Sequence, residues 1–344
     1  VSTLIERPDR LKLTRFADLV NHPPAPWLIR GVLRESSVAM LYGRRGCYKS
    51  FVALSMAGSV ATGVPWMGHP VPNTGPVIYV AAEGGGGMVQ RARALSEYLD
   101  IHPAKFDIHF VTEPMAVLRD SDDMELVVER IRELIDWEPA GSVDEETGYV
   151  HEHPVAREWP RLLVIDTLSR CLIGNENQQE DMAAFIQGVD RLKVEFDCTI
   201  LIVHHTGINE DRPRGSTVHE AACDTVYSLE AGDGDDLSLL MDCKKMKDSV
   251  EPPVLEMVRR PVEVTPRPDD DPDESLSSVV IVPNDEDEED RSAHMLLVLG
   301  EMGPMSWTNW LGSTGVPRTT FQRTVVELRK SGEIIKENNL WRVV

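Results

Sequence analysis

Short, uninterrupted apolar runs recur along the first two-thirds of the chain: Val38-Ala39-Met40-Leu41, Val77-Ile78-Tyr79-Val80-Ala81, Leu162-Leu163-Val164-Ile165 and Ile200-Leu201-Ile202-Val203. Runs apolar at every position, rather than at alternate ones, belong to strands covered on both faces. Helical periodicity fills the intervals. The pattern predicts strands over 37–42, 76–81, 106–111, 161–165 and 199–203, with helices over 50–62, 87–99, 122–136 and 179–195. Strand and helix in turn imply an α/β fold, a mostly parallel sheet flanked by helices. Further strands near 225–230, 237–243, 253–259 and 277–282 follow one another without helices and read as a meander completing the sheet. Ahead of the first strand, a short amphipathic segment from Leu11 to Val20 precedes Pro23-Pro24-Ala25-Pro26-Trp27, which favours an extended tether. Residues 138–160 lack periodicity and read as a surface insertion. His151 and His153 within it are metal-ligand candidates by type, although loop histidines are more often simply solvated. No internal repeat is found.

The pattern changes near residue 284. An acidic linker is expected over 284–292, then an apolar helix at Met295–Leu299, a segment with Trp307 and Trp310, and a helix over Arg318–Lys330. Ile334–Val343 has the form of a hairpin turning at Asn338-Asn339. Helices followed by a hairpin give a winged-helix-like plan, in which Arg318, Arg323 and Arg329 would lie on the reading helix. A protein-docking role suits the same plan equally well. The expected organisation is therefore a tether at 1–30, an α/β core at 31–283, a linker at 284–292 and a winged-helix-like domain at 293–344.

Composition changes this picture little. Hydrophobic content of 42% with 27% charged residues is ordinary for a globular protein, and no apolar stretch approaches the ~20 residues of a membrane span. A signal-peptide pattern is missing from the N-terminus, and the five cysteines form no C-x-x-C pair. A cytoplasmic protein with free thiols and no membrane partner is expected. The net charge of −22 weighs against nucleic acid, but its location matters more than its sum. Residues 266–292 hold eleven acidic residues against two arginines, a net of −9, whereas 293–344 carry a net of +2.

The chemistry begins where the first core strand ends. Gly43-Arg44-Arg45-Gly46-Cys47-Tyr48-Lys49-Ser50-Phe51 joins that strand to a helix pattern, the setting of a phosphate-binding loop. In such a loop backbone N–H groups surround the phosphates, the Lys49 ammonium reaches the β/γ oxygens and the Ser50 hydroxyl binds Mg²⁺. Tyr48 departs from the motif by standing where a second glycine is usual. ATP with Mg²⁺ is the expected ligand.

Other strands also end in polar groups. Asp166 closes Leu162–Ile165 and is expected to share the metal with Ser50. Glu83 closes Val77–Ala82 ahead of Gly84–Gly87 and is the candidate general base for hydrolysis. His204 and His205 close the run 199–203 and are candidates for sensing the γ-phosphate. Gly207–Gly215 contains Arg212 and Arg214 and reads as a mobile loop able to contact nucleic acid. Lys245 and Lys247, two apart on a late strand, serve either as a solvated edge guard or as cations offered to a neighbouring subunit's nucleotide.

Taken in order, Gly43–Ser50, Tyr79–Glu83, Ile165-Asp166-Thr167-Leu168-Ser169-Arg170, Val203-His204-His205-Thr206-Gly207, Arg214-Gly215-Ser216 and Lys245-x-Lys247 resemble the RecA-like ATPases. Among these they look most like the RepA-like hexameric helicases of plasmids and phages. The resemblance covers roughly residues 26–283. It implies a homo-hexameric ring with nucleotide at subunit interfaces, single-stranded or branched DNA as partner, and work alongside replication proteins. It also implies that Lys245 and Lys247 face the next subunit's γ-phosphate. The acidic stretch and the C-terminal domain fall outside it. Two alternatives remain: a recombination or branched-DNA-processing ATPase, conceivably a structure-specific nuclease, and an ATP-switched DNA-binding regulator or loader.

Overall fold

In the computed structural model the described residues are 13–83, 85–134, 137–138, 155–156, 159–206, 218–232, 236–266, 276–284, 288–314, 324–326, 328–337 and 340–344. The described residues begin with α1 (Phe16–Leu19) and a small hairpin, β1 (Trp27–Ile29) and β2 (Leu33–Arg34). The core then runs β3 (Val38–Gly43), α2 (Lys49–Thr62), β4 (Val77–Ala81), α3 (Gly85–Leu99), β5 (Ile108–Val111) and α4 (Asp122–Leu134). Two short strands, β6 (Trp137–Glu138) and β7 (Val155–Ala156), pair across the expected insertion, in which His151 and His153 lie outside the described residues. Next come β8 (Leu162–Asp166), α5 (Leu168–Cys171), α6 (Gln179–Phe196), β9 (Thr199–His205), α7 (Val218–Ala222), β10 (Thr225–Ala231), β11 (Ser238–Met246), β12 (Leu255–Glu263) and β13 (Ser277–Pro283). The chain closes with α8 (Glu288–Met302), α9 (Trp307–Thr314) and the hairpin β14 (Ile334–Glu337) and β15 (Leu340–Val343).

Nine strands form one sheet in the order β13-β12-β11-β10-β3-β9-β8-β4-β5. From β10 to β5 every pairing is parallel, and from β10 to β13 every pairing is antiparallel. The sequence pattern predicts this division: continuous apolar strands fill the parallel half, and the meander extends it. Alternation along each strand assigns the two faces. Ala39, Leu41, Tyr79, Val164 and Val203 point to the face covered by α2 and part of α3. Met40, Tyr42, Ile78, Ile165 and Ile202 point to the face covered by α4, α5 and α6. Where α3 reaches the meander, Ala94 packs with Val264, Val280 and Val282.

Three expectations need correction. The acidic run expected as linker over 284–292 is already helical from Glu288, since negative charge in a first turn suits the helix macrodipole. Gly85 and Gly86, expected ahead of a helix starting at 87, already belong to the first turn of α3. The Leu11–Val20 segment is helical only over Phe16–Leu19, and Leu13, Phe16, Leu19 and Val20 are all exposed. In the C-terminal region Met295, Leu299, Trp310, Val325, Leu328, Ile334 and Trp341 gather into a core cluster of their own. Arg318 and Arg323 lie outside the described residues, as do Arg212 and Arg214.

Candidate nucleotide site

The site forms at the C-terminal edge of the parallel strands. Gly43 ends β3 under tight contacts: a Cβ there would collide with the Leu229 carbonyl oxygen and stand 2.7 Å from Cys47 Sγ. Gly46 turns the loop at φ +82°, left-handed backbone natural to glycine. Arg44, Arg45 and Gly46 stand exposed on the crest, while Cys47 and Lys49 are buried beneath it. No side chain caps α2, and its first turn holds no acidic residue. That leaves a helix N-terminus whose N–H groups and dipole suit an anion.

Lys49 Nζ donates to the carbonyls of Gly43 (2.9 Å) and Arg44 (2.6 Å) and lies 3.7 Å from Cys47 Sγ. Burial lowers its pKa, opposed by the nearby Cys47, Asp166 and Glu83. The ammonium is thus held at the loop that the sequence assigns to phosphate.

Asp166, at the end of β8, is almost wholly buried, and its Oδ2 accepts from the Tyr79 hydroxyl at 2.8 Å. Burial raises its pKa, while the Ser50 and Tyr79 hydroxyls and the Arg91 charge pull it back. Its Oδ1 is buried without a hydrogen-bond partner. An orphaned carboxylate oxygen in that position fits a cation, so Ser50 and Asp166 are the residues that would hold Mg²⁺.

Glu83 is more exposed. Its Oε1 accepts from Thr167 Oγ1 at 2.9 Å and lies 3.5 Å from His205 Nε2. One carboxylate is therefore sunk beside the phosphate helix, and a second is held open at the cleft. The two histidines expected to act together part company, because neighbouring strand residues face opposite sides of a sheet. His205 joins Glu83, whereas His204 is fully buried on the Tyr42 side.

Lys245 and Lys247 are not beside their own chain's loop. Met246 pairs with Thr225, and Thr225 with Ala39, so this end of β11 lies at the sheet edge opposite Gly43. Lys245 Nζ donates to the carbonyls of Glu220, Ala221 and Cys223 around the end of α7. Lys247 lies past the strand end and, largely exposed, sits 3.6 Å from Asp224. Only Lys245 of the two belongs to β11, which ends at Met246. Register shifts here, leaving Lys244 as an extra residue between the paired Cys243 and Lys245.

Sequence reasoning missed four contributors. Tyr79 and Thr167 hold the two carboxylates, Arg91 lies over the Phe51 ring at 4.4 Å, and Arg259 lies over the Tyr48 ring at 4.7 Å. The Tyr48 and Phe51 ring centroids are 5.4 Å apart with the planes tilted by 51°, so an aromatic contact occupies the Phe51 side chain expected at the nucleotide. Tyr48 itself takes φ 66°, the left-handed conformation its glycine-like position demands, at a cost of about 1–3 kcal/mol for a bulky residue. Arg259 had one sequence signal. It is an arginine at an inward position of β12, two residues from buried Met257.

Beside the loop a cavity of about 590 Å³ is lined by Gly43 to Tyr48, Thr206, the end of β10 and Arg259. That volume is within the range of small-molecule sites.

Comparison with known proteins agrees with the loop chemistry. The AAA domain family AAA_25 matches residues 6–211. Among solved structures the chain is similar to the RadB recombinase at 12% identity, covering 65% of this chain and 87% of that one, with a TM-score of 0.43. No helix among the described residues is long and apolar enough to cross a membrane. With a phosphate-loop motif following β3, a buried carboxylate ending β8 and a family match spanning both, the chain belongs to the AAA domain family AAA_25.

Proposed function

We propose that the protein is an ATP-driven DNA helicase or translocase that works as a ring in phage or plasmid replication. The observation that carries the hydrolytic part is the contrast between two carboxylates at one sheet edge. Asp166 is buried with an orphaned oxygen, and Glu83 is open and oriented by Thr167 and His205.

In this reading Lys49 exchanges its carbonyl partners for phosphate oxygens. Glu83 takes a proton from water as the water oxygen bonds to the γ-phosphorus; the bond to the β–γ bridging oxygen breaks and ADP carries away that electron pair. Mg²⁺, when held by Ser50 and Asp166, supplies charge neutralisation at the phosphate oxygens. His205 bridges from the base toward Thr206, whose N–H bonds the Gly43 carbonyl at 3.1 Å.

The DNA and ring assignments rest on the motif resemblance. Support for assembly comes from the exposed apolar side chains of residues 13–20, and from Lys245 and Lys247 lying away from their own loop. The test is ATPase rate with and without single-stranded DNA, mass with and without nucleotide, and displacement of a tailed duplex. DNA-stimulated turnover with unwinding is expected. Turnover without strand displacement, or action on junctions alone, removes the helicase reading in favour of branched-DNA processing.

A further inference from the structure

We infer that Arg259 is a nucleotide-positioning residue that acts through Tyr48, an assignment that rests on ATP binding at the phosphate loop. The reasoning starts from the motif's departure. A tyrosine occupies a position where left-handed backbone is required, and its φ of 66° shows that the backbone conformation is kept in spite of the side chain. Something outside the loop must hold the ring where that conformation needs it.

Arg259 is placed to do so. It reaches from β12, far from the loop in sequence, and its guanidinium lies 4.7 Å from the centre of the Tyr48 ring. The guanidinium cannot swing away easily, because it donates to the Leu237 carbonyl at 3.2 Å, to the Gly232 carbonyl at 3.2 Å and to the Asp236 carbonyl. Those carbonyls belong to the segment joining β10 to β11, so the arginine is braced by the antiparallel half of the sheet. Tyr48 also meets Phe51, over which Arg91 lies. The ring contacts both a fixed cation and an aromatic neighbour.

The consequence concerns Lys49 and Ser50, which follow Tyr48 immediately. If Tyr48 leaves the left-handed region, the first N–H groups of α2 and the Lys49 stem turn with it. Arg259 thereby sets the aim of the phosphate loop without itself touching phosphate. A lysine could not replace it, since a planar fork is needed to stack on the ring while bonding several carbonyls.

The test is a double-mutant cycle read as the Kd for Mg–ATP. Arg259→Ala is expected to weaken binding about tenfold when Tyr48 is present, in line with a cation–π contact withdrawn from water. In the Tyr48→Gly background the same Arg259→Ala change is expected to alter Kd by less than about twofold, because glycine holds the conformation unaided. An undiminished effect in that background means that Arg259 contacts nucleotide directly or only anchors its turn, and overturns the inference. Should Arg259→Ala not fold, the tyrosine side decides. Tyr48→Ala keeps the strain and loses the stack, so it is expected to bind Mg–ATP several-fold more weakly than Tyr48→Gly; equal affinities overturn the inference. Failure of the unsubstituted protein to bind Mg–ATP defeats the nucleotide reading and this inference together. Binding without coupling defeats only the inference.

Discussion

Glu83 and Asp166 are the same chemistry in different surroundings, and burial separates what each can do. Asp166, nearly sealed and bonded by Tyr79, is suited to a fixed metal-holding role, whereas the half-open Glu83 can meet water. Glu83→Gln is therefore expected to keep nucleotide binding and lower turnover by about 10²–10⁴-fold, since an amide cannot accept the proton. Binding and single-turnover hydrolysis measured on the same preparation check this, and near-normal turnover would move the base elsewhere. The cysteines show burial acting in the opposite sense, against reactivity. Burial pushes the thiols of Cys171, Cys198 and Cys223 up to about 12 and that of Cys243 up to about 11, and raises that of Cys47. Only thiolate attacks a disulfide reagent, and a raised pKa empties the thiolate form below it. At pH 8 the folded protein should leave all five thiols unlabelled by an aromatic disulfide, and denaturant should expose all five. A fast-reacting native thiol would contradict the burial.

At the level of elements, strand alternation sorts the candidate residues. One residue along β9 separates His205, beside Glu83, from His204, buried on the other face. The junction of β3 and α2 depends similarly on one glycine, because β10 passes so close to Gly43 that any side chain meets the Leu229 carbonyl. Gly43→Ala is expected to destabilise the protein by about 1–3 kcal/mol through overpacking and to weaken Mg–ATP binding as the loop is pushed from the strand. Thermal unfolding and nucleotide titration of that variant check both effects. The order of strands and helices was legible from the sequence, since continuous apolar runs with intervening helical periods leave few other arrangements. Element ends were less legible. Glu288–Asp290 read as linker because charge runs are common in loops, yet they open α8.

Over the whole molecule, the apolar side chains divide between the sheet and the C-terminal region. Trp310 is fully buried in the C-terminal cluster, donates to the Met295 carbonyl at 3.1 Å and stacks near Trp341. Trp310→Ala should cost that cluster about 3–5 kcal/mol. Because the nucleotide site draws on none of the cluster's residues, the ATPase rate without DNA should persist while a C-terminal unfolding step moves to lower temperature. Calorimetry with ATPase assay checks this, and loss of both together would show that the two regions fold as one.

The sequence by itself determined the parallel sheet, its antiparallel extension and the loop whose motif points to phosphate. These follow from local patterns: apolar runs, glycine spacing and polar groups at strand ends. It also placed Glu83, Asp166, Lys49 and Ser50 at one edge, because the ends of parallel strands gather there. Tertiary structure alone decided the partners that give those groups their properties. Thr167 on Glu83, Tyr79 on Asp166 and Arg259 on Tyr48 join residues 84, 87 and 211 positions apart. No local pattern encodes such pairs, because each depends on which strands lie side by side and which side chains burial forces together.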